Sequence, residues 1–579
     1  MDRRAVWAII LMMVIAILPA IFLRRPPARP PGAAPADSSA VPRPAPEAAA
    51  PKPAPLPAAQ AADTARPARD TAQPAAAAET VHVVSPLYAY GVSTRGARLV
   101  SAELARYRSM APNERGEPAE LLRPGSDLLA TTLVLERDTI RLDDWTFTPS
   151  TDSLPVQGGP ARLGLTAQRG HIGVELTYTF VPDSYRVYVR GHVSGVGPNG
   201  GLLLVGMGPG LANTEADSNE NHRALAIVTK QNDAKRTDFS SLEPGEPKTL
   251  SGPFDWVAIK SKYFTTAVLA FDSTGGRITG VTAVAPPDAG KRPSSAAIHA
   301  SLPVTASGDF SYSVYAGPLE HDRLRAIGHD FDDVNPYGWP GFRTLIRFFA
   351  VPTRALLVWM HDHLGIAYGF GLIIFGILVR VLLWPLNQKA MRASMAMQAI
   401  QPLVKEIQDR YKEDPQRMQQ EMFRLYKEHN VNPFGGCWPM LLPMPVLFAL
   451  FFVFQNTIEL RGTSFLWLPD LSRPDPYYII PLIMGVSMFA LSKVGQLGME
   501  PNPQMKMMLY VMPAMMTFLF LNFASGLNLY YAVSNIASVP QQYLLARERM
   551  RRNVAAPAPA PPPAQAEVRT KPQRQRRRR

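Results

Sequence analysis

The sequence predicts a mixed architecture: a polytopic α-helical membrane core, six spans in total, with a large extracytoplasmic β-sandwich domain. Three observations carry the prediction. One uncharged apolar run opens the chain and further apolar runs fill its C-terminal part. Between them lie about 240 residues rich in short stretches that alternate apolar and polar at period two, the repeat of a half-buried strand. Long Pro/Ala-rich tracts flank these regions, and 57 prolines exclude one continuous globule. Charged residues make up only 18% of the chain against 46% apolar, and a mean hydropathy of −0.05 averages very apolar tracts with polar ones. The formal charge of +13, from 60 Lys+Arg and 47 Asp+Glu, suits anionic lipid or ribosomal RNA and identifies neither. A single cysteine, Cys437, excludes an intrachain disulfide and any Cys-cluster metal site.

Residues 1–23 are read as a signal-anchor helix. Ala5 to Leu23 is uncharged and close to the ~20 residues that cross a bilayer. Arg3 and Arg4 before it place the N-terminus inside, although Arg24, Arg25 and Arg29 follow. A cleaved signal peptide would have a shorter apolar run and a small-residue cleavage site. Residues 24–80 are nearly all Ala, Pro and scattered charge, too poor in large apolar side chains to offset chain entropy, and form an expected disordered tether.

Residues 81–335 form the expected β-sandwich. Ile172 to Phe180 alternates, Val181 to Ser184 turns the chain, and Tyr185 to Val193 alternates again, which predicts a hairpin with one buried face. Similar runs occur at Arg98–Tyr107, Leu128–Arg137, Ala224–Thr229, Trp256–Phe271 and Phe310–Ala316. The domain's histidines have no metal-ligand spacing, and it holds no nucleophile–base pattern. Residues 336–364 carry an amphipathic stripe, Phe342, Leu345, Ile346 and Phe349, with Arg343 and Arg347 beside it; this suits a helix lying in a membrane surface.

Residues 365–547 hold five expected spans, roughly Tyr368–Leu386, Trp438–Ile458, Tyr477–Ser492, Lys506–Asn522 and Ser525–Leu545. The charged stretch 387–432 between the first two is expected in the cytoplasm as a helical hairpin. Met391 and Met395 face one way on its first arm, and Asp414-Pro415 starts a second arm that carries Met418 and Met422. The Met stripe reads equally as packing or as an adaptable binding surface. Residues 548–579 are an expected disordered basic tail, ending in Arg576 to Arg579, on the cytoplasmic side.

Arg380 is the chemically conspicuous residue. A charge at mid-span costs ~2.5–3.5 kcal/mol and marks a functional candidate, although a side chain near Pro385 also snorkels easily. No acid lies deep in any span to neutralise it, because Glu459 stands at the far end of its helix; a wet cavity is therefore expected, with room left at Gly376. Other polar residues in the spans, such as Asn456, Asn528 and Asn535, suggest no proton relay, and no nucleotide, hydrolase or metalloprotease motif occurs.

Asn432-Pro-Phe-Gly-Gly-Cys-Trp-Pro439, Ile458-Glu-Leu-Arg461, Trp467-Leu-Pro-Asp-Leu-Ser472, Asp475-Pro-Tyr-Tyr-Ile479 and Ser525-Gly-Leu-Asn-Leu-Tyr-Tyr531 closely resemble the YidC membrane-protein insertases. Val379-Arg380 with Pro385-Leu386 and Ser394-Met395 with Gln401-Pro402 do so too. In the β region, Asp255 to Phe264 and Tyr315-Ala-Gly-Pro318 resemble the periplasmic domain of the long diderm-bacterial form. The resemblance implies a non-enzymatic insertase and chaperone of nascent inner-membrane proteins. It would work without nucleotide hydrolysis through a hydrophilic groove open to cytoplasm and lipid, alone or beside the Sec translocon (SecYEG, SecDF). It places Arg380, Gly376, Asn456, Tyr530 and Tyr531 among the groove or substrate-contacting positions. Membrane lipids, the ribosome and the signal-recognition-particle receptor are further implied partners; no cofactor, metal or DNA is implied. Pro443, Gly376 and Ala524 depart from the family's usual Gln, hydroxyl and Pro. Outside the resemblance, a polytopic channel or transporter with a periplasmic receptor domain is the alternative, and a membrane enzyme acting on lipid or glycan a third.

Overall fold

A computed structural model of the chain describes residues 78–555, apart from 137, 272, 274, 275, 291, 340, 430, 432–443 and 499–502. The expected signal-anchor, nearly all of the tether, the Asn432–Pro439 motif, Pro443 and residues 556–579 of the expected tail lie outside the described residues, whereas 548–555, expected as disordered tail, are the end of a long helix that runs on from Ser525.

Period-two sequence becomes strand wherever one face can be covered. In the predicted hairpin Ile172–Phe180 pairs antiparallel with Arg186–Ser194, with Val174 opposite Val193 and Tyr178 opposite Val189. Ile172, Val174, Leu176, Tyr178 and Phe180 are all buried, so the alternation reads out the core face directly. This hairpin sits inside a nine-stranded sheet whose other strands include Ala226–Lys230, Trp256–Lys260, Phe264–Leu269 and Asp309–Pro318. Sheets of six and five strands accompany it, and the three share one hydrophobic core. The run expected over Trp256–Phe271 is two strands, Trp256–Lys260 and Phe264–Leu269, paired antiparallel around a turn. Both are buried on both faces, and so lack the alternation that would have shown the break. The run expected from Ala224 starts as strand only at Ala226, because residues through Ala224 belong to a short helix capped by Asp217. Gly191 lies opposite Phe310, whose ring would stand 2.1 Å from any Cβ there.

The helical part contains α1 (Arg343–Leu364), α2 (Tyr368–Ala399), α3 (Gln401–Arg410), α4 (Pro415–Glu428), α5 (Met444–Asn456), α6 (Ile479–Gly495), α7 (Pro503–Phe520) and α8 (Ser525–Ala555). Helix α1 is amphipathic, and the face it packs against the protein is set apart from part of the expected membrane-facing stripe. The buried face runs through Ile346, Ala350, Arg354, Leu357 and Met360, whereas Phe342 and Leu345 are exposed. Arg343 and Arg347 are tied back to Asp333 at 2.9 Å and Asp332 at 2.7 Å. Among the described residues one helical stretch, Tyr368–Lys389, is long and apolar enough to cross a bilayer, and Met444–Asn456, Ile479–Gly495 and Met505–Phe520 are shorter apolar helices.

The described part of the charged stretch is mostly helical, in three segments. Helix α2 runs through it to Ala399, Ile400 breaks the path, and α3 and α4 form a hairpin across Tyr411–Asp414. Asp414 caps α4 by accepting from the Arg417 N–H at 3.1 Å, with Pro415 as the first helical residue.

A polar seam joins the β domain to the helices. Arg461, only 5% exposed, follows α5 and reaches into the β domain. Its Nε donates to both carboxylate oxygens of Glu215 at 2.9 and 3.1 Å; Nη1 and Nη2 donate to the carbonyls of Arg108 and Thr214, each at 2.9 Å. Arg354, buried on α1, binds Glu459 and Asp322. Lys260 donates to Asn335 Oδ1 at 2.5 Å, and Asn335 donates to the Asn456 carbonyl at 3.1 Å.

Candidate functional site

Helices α2 and α8 pack side by side, and the reason is read at Gly376. A Cβ there would meet Val533 Cγ1 at 3.3 Å, Ser534 Oγ at 3.5 Å and Tyr530 Cδ2 at 3.5 Å. At Gly376 itself the expected room is taken up by α8: the missing side chain allows close approach of the two helices there. One turn further along α2, Arg380 is half-buried. Tyr530 and Tyr531 of α8 lie near it. Their rings are edge to face at 5.6 Å; Phe375 lies 5.8 Å from Tyr530, and Phe520 lies 5.5 Å from Tyr531. Among the described residues Arg380 has no carboxylate partner, and Glu459, the acid considered for it, is held by Arg354.

Helix α8 carries a buried polar stripe. Asn528, Ser534, Asn535, Ser538 and Gln541 recur at helical spacing and are all buried. Asn535 donates to Ser487 Oγ on α6 at 3.2 Å. Toward the other end, Asn387 of α2 donates to Gln541 Oε1 at 2.9 Å, and Gln541 donates to the Trp384 carbonyl at 3.0 Å. Arg549 closes the end of α6 by donating to the Gly495 and Leu497 carbonyls at 2.9 and 3.0 Å. Ser538 and Gln541 follow Ser534 and Asn535 at three-to-four-residue spacing, a signal legible in the sequence, whereas nothing in the sequence points to Asn387.

Of the residues expected in the groove, Arg380, Gly376, Tyr530 and Tyr531 come together. Asn456 does not join them. It ends α5, and its side chain donates to the Pro336 carbonyl at 2.9 Å, which makes it part of the seam to the β domain. On the hairpin Met418 and Met422 are half-buried while Leu425 is buried and Phe423 exposed. Met391 and Met395 lie on α2, with side chains outside the described residues.

The arrangement provides a guanidinium with no carboxylate partner among the described residues, near two tyrosines and a buried line of amides and hydroxyls. Such a site attracts acidic or polar chain and offers it hydrogen bonds. Nothing in it is arranged as nucleophile and base.

The family model described as YidC periplasmic domain matches residues 80–351, and the one described as 60Kd inner membrane protein matches residues 359–553. The membrane protein insertase YidC of Chlorobium phaeovibrioides is 33% identical over 497 residues, covering 80% of this chain and 82% of the relative. That of Syntrophus aciditrophicus is 30% identical over 576 residues, covering 95% of this chain and all of the relative. A crystal structure of an active YidC insertase with its first transmembrane domain resolved aligns over 80% of this chain and 92% of its own, at 17% identity and a TM-score of 0.33. With two adjoining family models and relatives matched over most of their length, the chain belongs to the YidC family of membrane protein insertases.

Proposed function

We propose that this inner-membrane insertase moves the short translocated segments of nascent membrane proteins along the α2–α8 seam. Arg380 supplies the attraction and the buried polar stripe the hydrogen bonds. The observation that carries the reading is Arg380 itself: half-buried, beside Tyr530 and Tyr531, and without a carboxylate among the described residues. A partly desolvated charge acts over longer range than one in bulk water. It lowers the barrier for a polar segment, while the client's own helix gains ~25 cal/mol per Å² of apolar surface moved into lipid. No nucleotide enters this scheme.

The same reading includes six spans, with the N-terminus and C-terminus in the cytoplasm, the β domain in the periplasm and the α3–α4 hairpin in the cytoplasm. The Sec translocon, the ribosome and the signal-recognition-particle receptor are its proposed partners, and the seam is its groove. The test is protease protection of individual clients at matched insertase levels. Arg380→Ala should impair clients with acidic translocated segments and spare strongly hydrophobic ones, while Arg380→Lys should retain much of the activity, since a point charge suffices without a bidentate partner. Equal effects of Arg380→Ala on both client classes would defeat the electrostatic reading.

A further inference from the structure

The loop between α5 and α6 is unusually well braced for a segment that exposes large apolar side chains. Phe465 and Leu468 exchange both backbone hydrogen bonds at 2.9 Å, which throws Leu466 to the tip of a tight turn, 71% exposed and with φ at 54°. Tyr478 also has a positive φ, 58°, and Tyr477 is 66% exposed. Bulky residues rarely take this conformation, so the surroundings must impose it. The buried Asp475 does so: it accepts from the Tyr477 N–H at 3.0 Å, the Ile480 N–H at 2.7 Å and the Trp467 indole at 3.3 Å. Asp470, also buried, accepts from the Ser472 N–H and hydroxyl at 2.8 and 2.7 Å. Both acids are buried and hydrogen-bonded within the loop, so the projecting tip presents aromatic and aliphatic surface.

That surface continues along the chain onto α6, where Leu482 and Val486 are exposed. The loop also holds the starts of both seam helices. Phe465 fills the space at Gly369 of α2, where a Cβ would meet its ring at 2.2 Å. The Ser525 and Gly526 N–H groups at the start of α8 donate to the Arg473 and Leu471 carbonyls at 2.7 and 3.0 Å.

We infer that Leu466, Trp467, Tyr477 and Tyr478 seat in the headgroup–acyl boundary of the outer leaflet, so that a phospholipid surface, through this loop, fixes the depth of α2 and α8. Leu466 and the Trp467 ring, its N–H held by Asp475, supply apolar burial, and the two tyrosines supply rings with one polar tip, side chains that favour that layer. Seated so, a rigid loop sets where the Arg380 layer lies relative to the bilayer surface. The inference rests on the proposed membrane placement of α6, and the experiment separates the two.

The full chain with Cys437→Ser is given one new cysteine, at Leu466, at Val486 in α6 or at Tyr188 on the β domain. Each variant is spin-labelled and reconstituted in phosphatidylethanolamine–phosphatidylglycerol vesicles. Collision with oxygen and with a water-soluble nickel chelate is then compared. The Val486 label should favour oxygen strongly, Tyr188 should favour nickel, and Leu466 should fall between them, with nickel collisions several-fold below those at Tyr188. Adding Asp475→Ala should move the Leu466 label toward nickel while leaving Val486 unchanged. A Leu466 label as nickel-accessible as Tyr188, with Val486 in lipid, would overturn this inference alone. A Leu466 label shielded from both reagents would also overturn it, because protein and not lipid would cover the loop. A Val486 label in water would overturn the placement of α6, and the inference with it.

Discussion

Replacing Arg461 with Ala should loosen the β domain from the helices far more than removal of an ordinary surface ion pair. Arg461 and Glu215 are 5% and 9% exposed, and every donor contact of the guanidinium crosses the seam: two to the carboxylate and two to the backbone carbonyls of Arg108 and Thr214. An exposed pair contributes about 0–1 kcal/mol. Truncating one member of a buried pair costs about 3–5 kcal/mol, because the surviving charge loses its partner without regaining water. At ~1.4 kcal/mol per decade that corresponds to about two to four decades in the local opening equilibrium. Native-state hydrogen exchange reads this at the Met110 amide, which donates to the Thr214 carbonyl beside the pair. Arg461→Ala should accelerate its exchange by that factor, and Arg461→Lys should recover little, since one ammonium does not reproduce the fork. The double change Arg461→Met with Glu215→Gln should lie closer to the native protein, because no buried charge is orphaned. If Arg461→Ala accelerates exchange less than tenfold, the seam is not held by this residue and the reasoning fails.

Three further predictions concern other sites. Lys260 is buried, and burial, with the charge of Arg236 adding to it, holds its ammonium well below the ordinary 10.5. Between that lowered value and 10.5 the unfolded chain binds the extra proton, so stability should rise with pH through this window; Lys260→Met should flatten the rise in urea-unfolding series. Gly376→Ala should be tolerated with a small shift of Val533, as the nearest heavy atoms lie 3.3–3.5 Å from its Cβ, whereas Gly376→Leu should force α2 and α8 apart at a cost of about 1–3 kcal/mol and reduce insertion of all clients; full insertion activity for the Leu variant would contradict the close-packing role. Asp414→Ala removes the cap on the Arg417 N–H and should cost the hairpin about 1 kcal/mol, visible as faster exchange confined to the first turn of α4.

Local spacing was enough for the elements. The alternation from Ile172 to Phe180 and from Tyr185 to Val193 specified strands and their buried faces, because side-chain period and pleat are the same repeat. Asp414-Pro415 specified a helix start, because an acceptor followed by a residue lacking N–H satisfies the first turn. The ordered motifs identified the family, and the resemblance implied a groove set of Arg380, Gly376, Asn456, Tyr530 and Tyr531, from which the structure sets Asn456 apart. Where both faces of a strand are buried, as at Trp256–Leu269, the alternation vanished and the turn was missed.

Pairing across the fold was decided only by the tertiary structure. Arg461 and Glu215 stand 246 residues apart, and neither sits in a pattern that names the other. Asn456 had the composition of a groove residue, yet its position at the end of α5 turned it to the Pro336 carbonyl. Gly376 looked like a vacancy along one helix and became a contact once α8 was laid against it. A residue's spacing determines which face of its own element it occupies; what covers that face depends on how the other elements pack. Elements and motifs were therefore legible in the chain, whereas the seam, the filled space at Gly376 and the braced outer loop existed only once the helices and sheets had met.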